Sequence, residues 1–170
     1  MGLLKGLNQY LTADLLHLLR SAGHGDKIAV VDCNFPAVEV ATKTTTGKLV
    51  QLAGVDDVQA IDAICSVLPL DFFVEKPVAH MVPDEGIALP ELGTQVHTAV
   101  LEAVRVHTPD YGEMEAIPRT SFYDVSRTCF GVVQTMERRP YGCFIITKGV
   151  VGPDGKDFKP DTGNKRKRTE

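Results

Sequence analysis

Gly23-His-Gly-Asp-Lys-Ile-Ala-Val-Val-Asp32 is the stretch on which the fold of this chain turns. Ile28 to Val31 is apolar at four successive positions. A half-buried strand would alternate, so the run predicts a strand covered on both faces, which requires helices on both sides of the sheet. Upstream, Thr12 is placed to cap a helix, with Asp14 in its first turn and an apolar stripe of Leu15, Leu16, Leu18, Leu19 and Ala22. Gly23 stands where a left-handed C-cap glycine belongs. Downstream, Asp32 closes the strand and Asn34-Phe-Pro36 turns the chain.

The same alternation of elements continues. Thr44–Leu52 is β-branched and polar, the signature of an edge strand. Asp56 or Asp57 can cap a second helix with Val58, Ile61, Ile64, Cys65 and Leu68 on one face, ended by Pro69. A short strand is expected at Ala79–Val82, and a helix from Pro90, placed as at the first helical position, to about His107. Glu115–Ile117 reads as a strand and Phe122–Thr128 as a short helix. Phe130–Val133 and Phe144–Thr147 read as two last strands joined through the turn Arg139-Pro-Tyr-Gly142, an antiparallel pair. The expected fold is therefore α/β, a single three-layer α/β/α domain with a mixed, mostly parallel sheet over residues 1–150, followed by a flexible tail over 151–170.

Composition narrows the function classes. With 170 residues, 44% hydrophobic and 24% charged, the chain can hold a full core and is neither disordered nor a disulfide-built miniature. No apolar run approaches the roughly 18–20 residues that span a bilayer. The start Met1-Gly-Leu-Leu-Lys5 lacks a secretory pattern, so a cytoplasmic protein without a membrane partner is expected. The net charge is −4, but Lys165–Arg168 against Asp161 and Glu170 make the last ten residues +2 and the rest −6. An acidic body suits a phosphate backbone poorly, so the basic run is read as a solvated tail and no nucleic-acid partner is expected. Cys33, Cys65, Cys129 and Cys143 show no C-x-x-C pair and no histidine at zinc spacing, which points to reduced core thiols and no metal site.

Common nucleotide, hydrolase and zinc motifs are absent. Ligands of open α/β sheets bind outside the carboxyl ends of strands, which directs attention to His24 and Asp32. Imidazole titrates near neutrality and suits proton transfer. By position alone, however, His24 fits equally a loop imidazole donating to a helix carbonyl, and Asp32 a strand-end turn cap. His17, His80, His97 and His107 match no motif and read as structural or exposed.

Six short motifs occur in chain order: Gly23-His-Gly-Asp26, Asp32-x-Asn-Phe-Pro36, Leu68-Pro-Leu-Asp71, Arg119-x-x-Phe-Tyr123, Tyr141-Gly142, and Lys148-Gly-Val150, with Lys5-Gly6 ahead of them. Together they resemble the D-ribose pyranase / L-fucose mutarotase family, nearest its fucose-type branch, over essentially the whole domain. The resemblance implies a cofactor-independent isomerase that interconverts anomers or ring forms of a free monosaccharide, L-fucose or a related sugar. It implies His24 as the catalytic acid/base with Tyr123 as its proton partner or orienter. Asp32, Asp71, Arg119 and Tyr141 then hold the sugar, and Cys143 stands where the family usually has asparagine. A thiol offers weaker hydrogen bonds than an amide, so a sugar-binding or sensing protein with little turnover is the alternative. The family also implies a ring-like homo-oligomer, an octamer or decamer. On this reading His24 faces Asp32 and Tyr123 across one hollow, within a chain or across neighbouring chains.

Overall fold

In the computed structural model, which describes residues 2–160, the decisive stretch forms β1 (Lys27–Val31), and Ile28 to Val31 are wholly buried. Beside it lie α1 (Ala13–Ser21), α2 (Ala37–Ala41), β2 (Leu49–Gln51), α3 (Asp57–Cys65), β3 (Val78–Val82), α4 (Glu91–His107), β4 (Glu115–Pro118), α5 (Arg119–Arg127), β5 (Gly131–Gln134) and β6 (Cys143–Thr147). The six strands form one sheet in the order β2-β5-β1-β6-β3-β4. The β1–β5, β2–β5 and β3–β4 pairs are parallel; β6 is antiparallel to both β1 and β3. Five strands thus run one way and β6 runs against them.

The pleat divides the core in two. Ile28 and Val30 face a cluster built with Leu15 and Leu18 of α1, Ile61 and Ile64 of α3, and Val96 and Val100 of α4. Ala29 and Val31 face the other side, with Val40 of α2 and Phe122 of α5. Burying both faces of a strand demands the unbroken apolar run seen in the sequence. The three-layer α/β/α architecture with a mixed, mostly parallel sheet is the expected one.

Several local details differ from the sequence reading. Gly23 is not left-handed: α1 ends on Ala22 in extended conformation (φ −67°, ψ 143°), and the positive φ belongs to Gly25 (+84°). The helix end is instead capped by the Lys148 ammonium, which donates to the carbonyls of Leu19 and Ala22. Pro90 is the N-cap of α4 rather than its first residue. Of Thr44–Leu52 only Leu49–Gln51 pairs, at the sheet edge as expected. The hydroxyls of Thr44 and Thr46 bond instead to the carbonyls of Ala41 and Phe130, and Gly47 is left-handed, so the segment turns. The five-residue α2 is too short to show a period and was not foreseen.

The two last strands do not pair with each other. The link between them crosses the end of β1, where the Thr135 N–H donates to the Val31 carbonyl and the Cys33 N–H to the Glu137 carbonyl. β1 takes the place between β5 and β6.

Residues 151–160, assigned from sequence to the tail, fold back on the body. Val151 bridges to Asp157, the Phe158 N–H donates to the Val150 carbonyl, and the Lys159 ammonium lies 2.6 Å from Asp110 Oδ2. The basic run Lys165–Arg168 lies outside the described residues. Among the described residues no helix is long and apolar enough to cross a membrane.

Candidate functional site

At the carboxyl ends of β1, β3 and β4 and the start of β6 lies a cavity of about 280 Å³. Asp32, Phe35, Arg119, Tyr123, Tyr141 and Cys143 line it, so five of the seven residues singled out from sequence meet here. Asp32 is carried by the end of β1. Its Oδ1 accepts from the Asn34 N–H at 2.9 Å, and its Oδ2 accepts from the Cys143 thiol at 3.4 Å. Burial nevertheless raises the Asp32 carboxyl above its usual range, outweighing those donors, with a smaller push from the Glu137 charge. Cys143 is 1% exposed. Its thiol is engaged by Asp32 at the back of the cavity, so it bears on a ligand through that carboxylate more than by its own surface.

Arg119 and Tyr123 project from the first turns of α5. Asp84, just past β3, organises them: it accepts from the Thr120 N–H and hydroxyl and lies 2.9 Å from Arg119 Nη2. These donors, the Thr120 backbone N–H foremost, hold the Asp84 carboxyl below its usual range. The Arg119 guanidinium sits 6.0 Å from the centre of the Tyr123 ring, whose other neighbour is Phe35, stacked at 5.3 Å and 22°. One phenol thus lies between a cation and an aromatic plate.

Tyr141 has φ +63°, the left-handed conformation that non-glycine residues rarely adopt. Its surroundings enforce it. His97 of α4, 3.0 Å away, donates through Nε2 to the Tyr141 carbonyl and is stacked on His80 at 4.2 Å. Burial lowers both imidazoles, His80 to about 4, so the pair is neutral near pH 7. Ahead of Tyr141, Glu137 accepts from the Arg138 and Arg139 N–H groups and forms a two-point pair with the Arg139 guanidinium. A Cβ on Gly142 would lie 2.6 Å from Asp57 Oδ2, so only glycine fits between Tyr141 and Cys143.

That contact exposes an unusual carboxyl. Asp57 is fully buried; its Oδ1 accepts from the Thr135 hydroxyl at 2.7 Å while Oδ2 has no partner among the described residues. Burial pushes it well above the carboxylate range, and the charges of Glu137 and Asp32 push the same way. The unfolded carboxyl ionises near pH 4, whereas the folded one, raised by burial, holds its proton to higher pH. Its contribution to stability is therefore complete below pH 4 and falls as pH rises toward the folded value. Asp57→Asn removes that loss. We expect the variant to match the natural chain at pH 3.5 and to melt about 2–4 °C higher at pH 7, by differential scanning calorimetry. A melting difference independent of pH would contradict the assignment.

His24 and Asp71 occupy the other end of the sheet. His24 precedes β1, whereas Asp32 follows it. From Lys27 to Asp32 alone the strand advances about 17 Å at roughly 3.3 Å per residue, so one chain cannot close both around one small molecule. There His24 Nε2 lies 3.1 Å from Asp71 Oδ1, with the imidazole side chain 46% exposed and the carboxylate 4%. Asp71 Oδ1 also accepts from the Phe73 N–H at 3.0 Å, which fixes its direction. The histidine loop is fastened by Lys148: the Gly25 N–H donates to its carbonyl, and its own N–H donates to the Asp26 carbonyl. Gly149 then lets the chain pass against Leu70, so closely that a Cβ would overlap the Leu70 carbonyl.

The sequence reading named residues of both clusters and expected a hollow shared within a chain or across neighbouring chains; within one chain the two clusters lie apart. That reading missed Asp84, His97, Glu137 and Asp57. Only Asp84 had a signal, an acid 35 residues before Arg119 without a local partner, and that is too weak to select it. Among the described residues no group of three or more His, Cys, Asp or Glu side chains converges as a metal site would require.

The model of the RbsD / FucU transport protein family matches residues 5–151, which take in every one of the residues just described. The chain belongs to this family. Its relatives include the L-fucose mutarotase of Actinobacillus pleuropneumoniae, 31% identical over 148 residues that cover 87% of this chain and 97% of that protein. The fucose mutarotase of Homo sapiens is 34% identical over 157 residues, covering 89% and 96%. Among solved structures, the fucose mutarotase of Streptococcus pneumoniae in complex with L-fucose superposes with a TM-score of 0.77 at 29% identity, over 88% of this chain and all of that one. This fold is thus similar to that of a solved fucose mutarotase.

Proposed function

We propose that the chain is an isomerase, a cofactor-independent mutarotase of a free monosaccharide, L-fucose or a close relative. The observation that carries this reading is the His24–Asp71 pair: a half-exposed imidazole held by a buried carboxylate at 3.1 Å. With Asp71 accepting from Nε2–H, Nδ1 is left as the basic nitrogen. In that arrangement one ring can act at both stages of the reaction. A base takes the proton from the anomeric hydroxyl, its electron pair forms C1=O, and the C1–O5 bond breaks as O5 is protonated. Rotation about C1–C2 and reversal of the same transfers close the opposite anomer. Tyr123 is the second proton carrier, Asp32 and Arg119 bind hydroxyls, and Tyr141 lies against an apolar edge of the sugar.

Because the two clusters lie at opposite ends of the sheet, the complete site needs the histidine end of one copy against the carboxyl-end cavity of the next. Joining two different patches is a head-to-tail contact, which gives a ring when the rotation between copies closes and an open filament when it does not. This is the physical ground for the ring-like homo-oligomer that the family resemblance implies.

The test is saturation-transfer NMR on L-fucose, D-ribose and D-galactose. Anomer exchange above the buffer rate is expected for at least one of them; exchange at the buffer rate with all three would refute the reading. Binding by calorimetry without exchange would mark a sensing protein instead. For the shared site, His24→Ala and Tyr123→Phe chains are each expected to be inactive alone. Co-expressed, they should recover activity at about a quarter of the sites, those that join two intact halves. No recovery in mixed assemblies would place both residues in one chain's site.

A further inference from the structure

The matched family region ends at residue 151, yet the chain beyond it returns to the histidine end of the sheet. After Val151 a tight turn closes through the Gly152 N–H to the Lys156 carbonyl, with Gly155 left-handed, and the strand runs back to Phe158. Three contacts fasten this strap. Asp157 Oδ2 accepts from the Leu70 N–H, the Lys159 ammonium pairs with Asp110, and that ammonium also lies 4.8 Å from the centre of the Phe72 ring. The strap sets Phe158 parallel to Phe73 at 5.9 Å and 20°, and Phe73 in turn is 5.0 Å from the His24 ring. Phe73 is 54% exposed and Phe158 40%. Within the chain itself two large rings thus stand uncovered in a line that ends at the proton-transfer imidazole.

We infer that Phe158 and Phe73 form an aromatic shelf beside His24 that receives the apolar side of the sugar, favouring 6-deoxy sugars over their 6-hydroxy counterparts. The inference rests on the mutarotase reading of His24. Sugars offer C–H faces and, in a 6-deoxy sugar, a methyl group, and flat aromatic rings are the side chains that bury such surface without demanding hydrogen bonds. A hydroxyl in place of that methyl gains nothing from a ring and loses water. Phe73 is the ring in contact with His24; Phe158 is a positioning residue that backs it and widens the shelf. This chain's selectivity is therefore set partly by a segment that lies past the family's matched length.

L-Fucose and L-galactose, which differ only in carrying a methyl or a hydroxymethyl group on C5, are the probes. Initial exchange rates by NMR give KM and kcat for each sugar with the full chain and with Phe158→Ala, Phe158→Leu and Phe158→Tyr. The alanine and leucine chains should raise KM for L-fucose about three- to tenfold, with kcat and the L-galactose KM within about twofold of the natural chain. The tyrosine chain keeps the flat ring and should restore the natural KM. Phe158 is partly exposed, so its loss opens no buried void, and the leucine chain separates ring shape from apolar bulk. An unchanged L-fucose KM in the alanine chain, or an equal rise for both sugars, overturns the shelf while leaving the mutarotase reading intact. Absence of exchange in the natural chain overturns both.

Discussion

His24→Ala is expected to lower the rate of sugar anomer exchange by about 10²–10⁴-fold, the share that one positioned acid/base group supplies. Folding should be untouched. The imidazole is half-exposed, its removal opens no cavity, and the loop is held by backbone bonds to Lys148 rather than by the ring. The melting temperature should therefore stay within about 2 °C of the natural chain. Calorimetric binding of the sugar should persist in weakened form, because Asp32 and Arg119 remain. An exchange rate within about threefold of the natural one, at unchanged stability, would remove His24 from the chemistry.

Gly149→Ala carries the largest expected cost in stability. A Cβ at this position meets not a side chain that can swing aside but the backbone of Leu70 and the Cα of Asp71. The Gly149 N–H donates to the Pro69 carbonyl at 2.8 Å, and Leu70 bridges to Lys148 on the same path, so the two segments cannot separate without losing these bonds. Overpacking against backbone costs about 3 kcal/mol, a substantial share of the total for a domain of this size. The midpoint of urea denaturation should drop with the slope unchanged. Activity should fall further than the folded fraction does, since Asp71 is moved from its 3.1 Å contact with His24. A midpoint equal to that of the natural chain would show that the two segments part freely.

Much of the fold was legible where physics is local. The unbroken run Ile28–Val31 announced a strand buried on both faces, and Asp56 or Asp57 announced the start of α3; the structure makes Asp56 the cap, with Gln59 returning the bond. What failed was non-local. Gly23 resembled a cap glycine, but the group that finishes α1 is an ammonium 126 residues away from Ala22. The late strands looked like a hairpin, and nothing nearby in sequence says that β1 separates them. The candidate site residues were picked by motif, as side chains matched in order. For His24 and Asp32 the order itself, one before β1 and one after it, sets them at opposite ends of the strand; which end Asp71, Arg119, Tyr123 and Tyr141 join depends on how the other strands pair. Asp84 and His97 act by touching Arg119 and the Tyr141 carbonyl, contacts that only the assembled tertiary structure creates.

A reversed β6 has one more implication. Its first residue, Cys143, follows Tyr141 at one rim, and its last, Thr147, leads into Lys148 and Gly149 at the other. Five residues thus act as a single rod with a fitting at each tip. A one-residue slip would turn its inward and outward side chains over and misplace both fittings together. Neither rim can drift independently, so natural variation along this rod should be paired, a change near one tip matched by an adjustment near the opposite one.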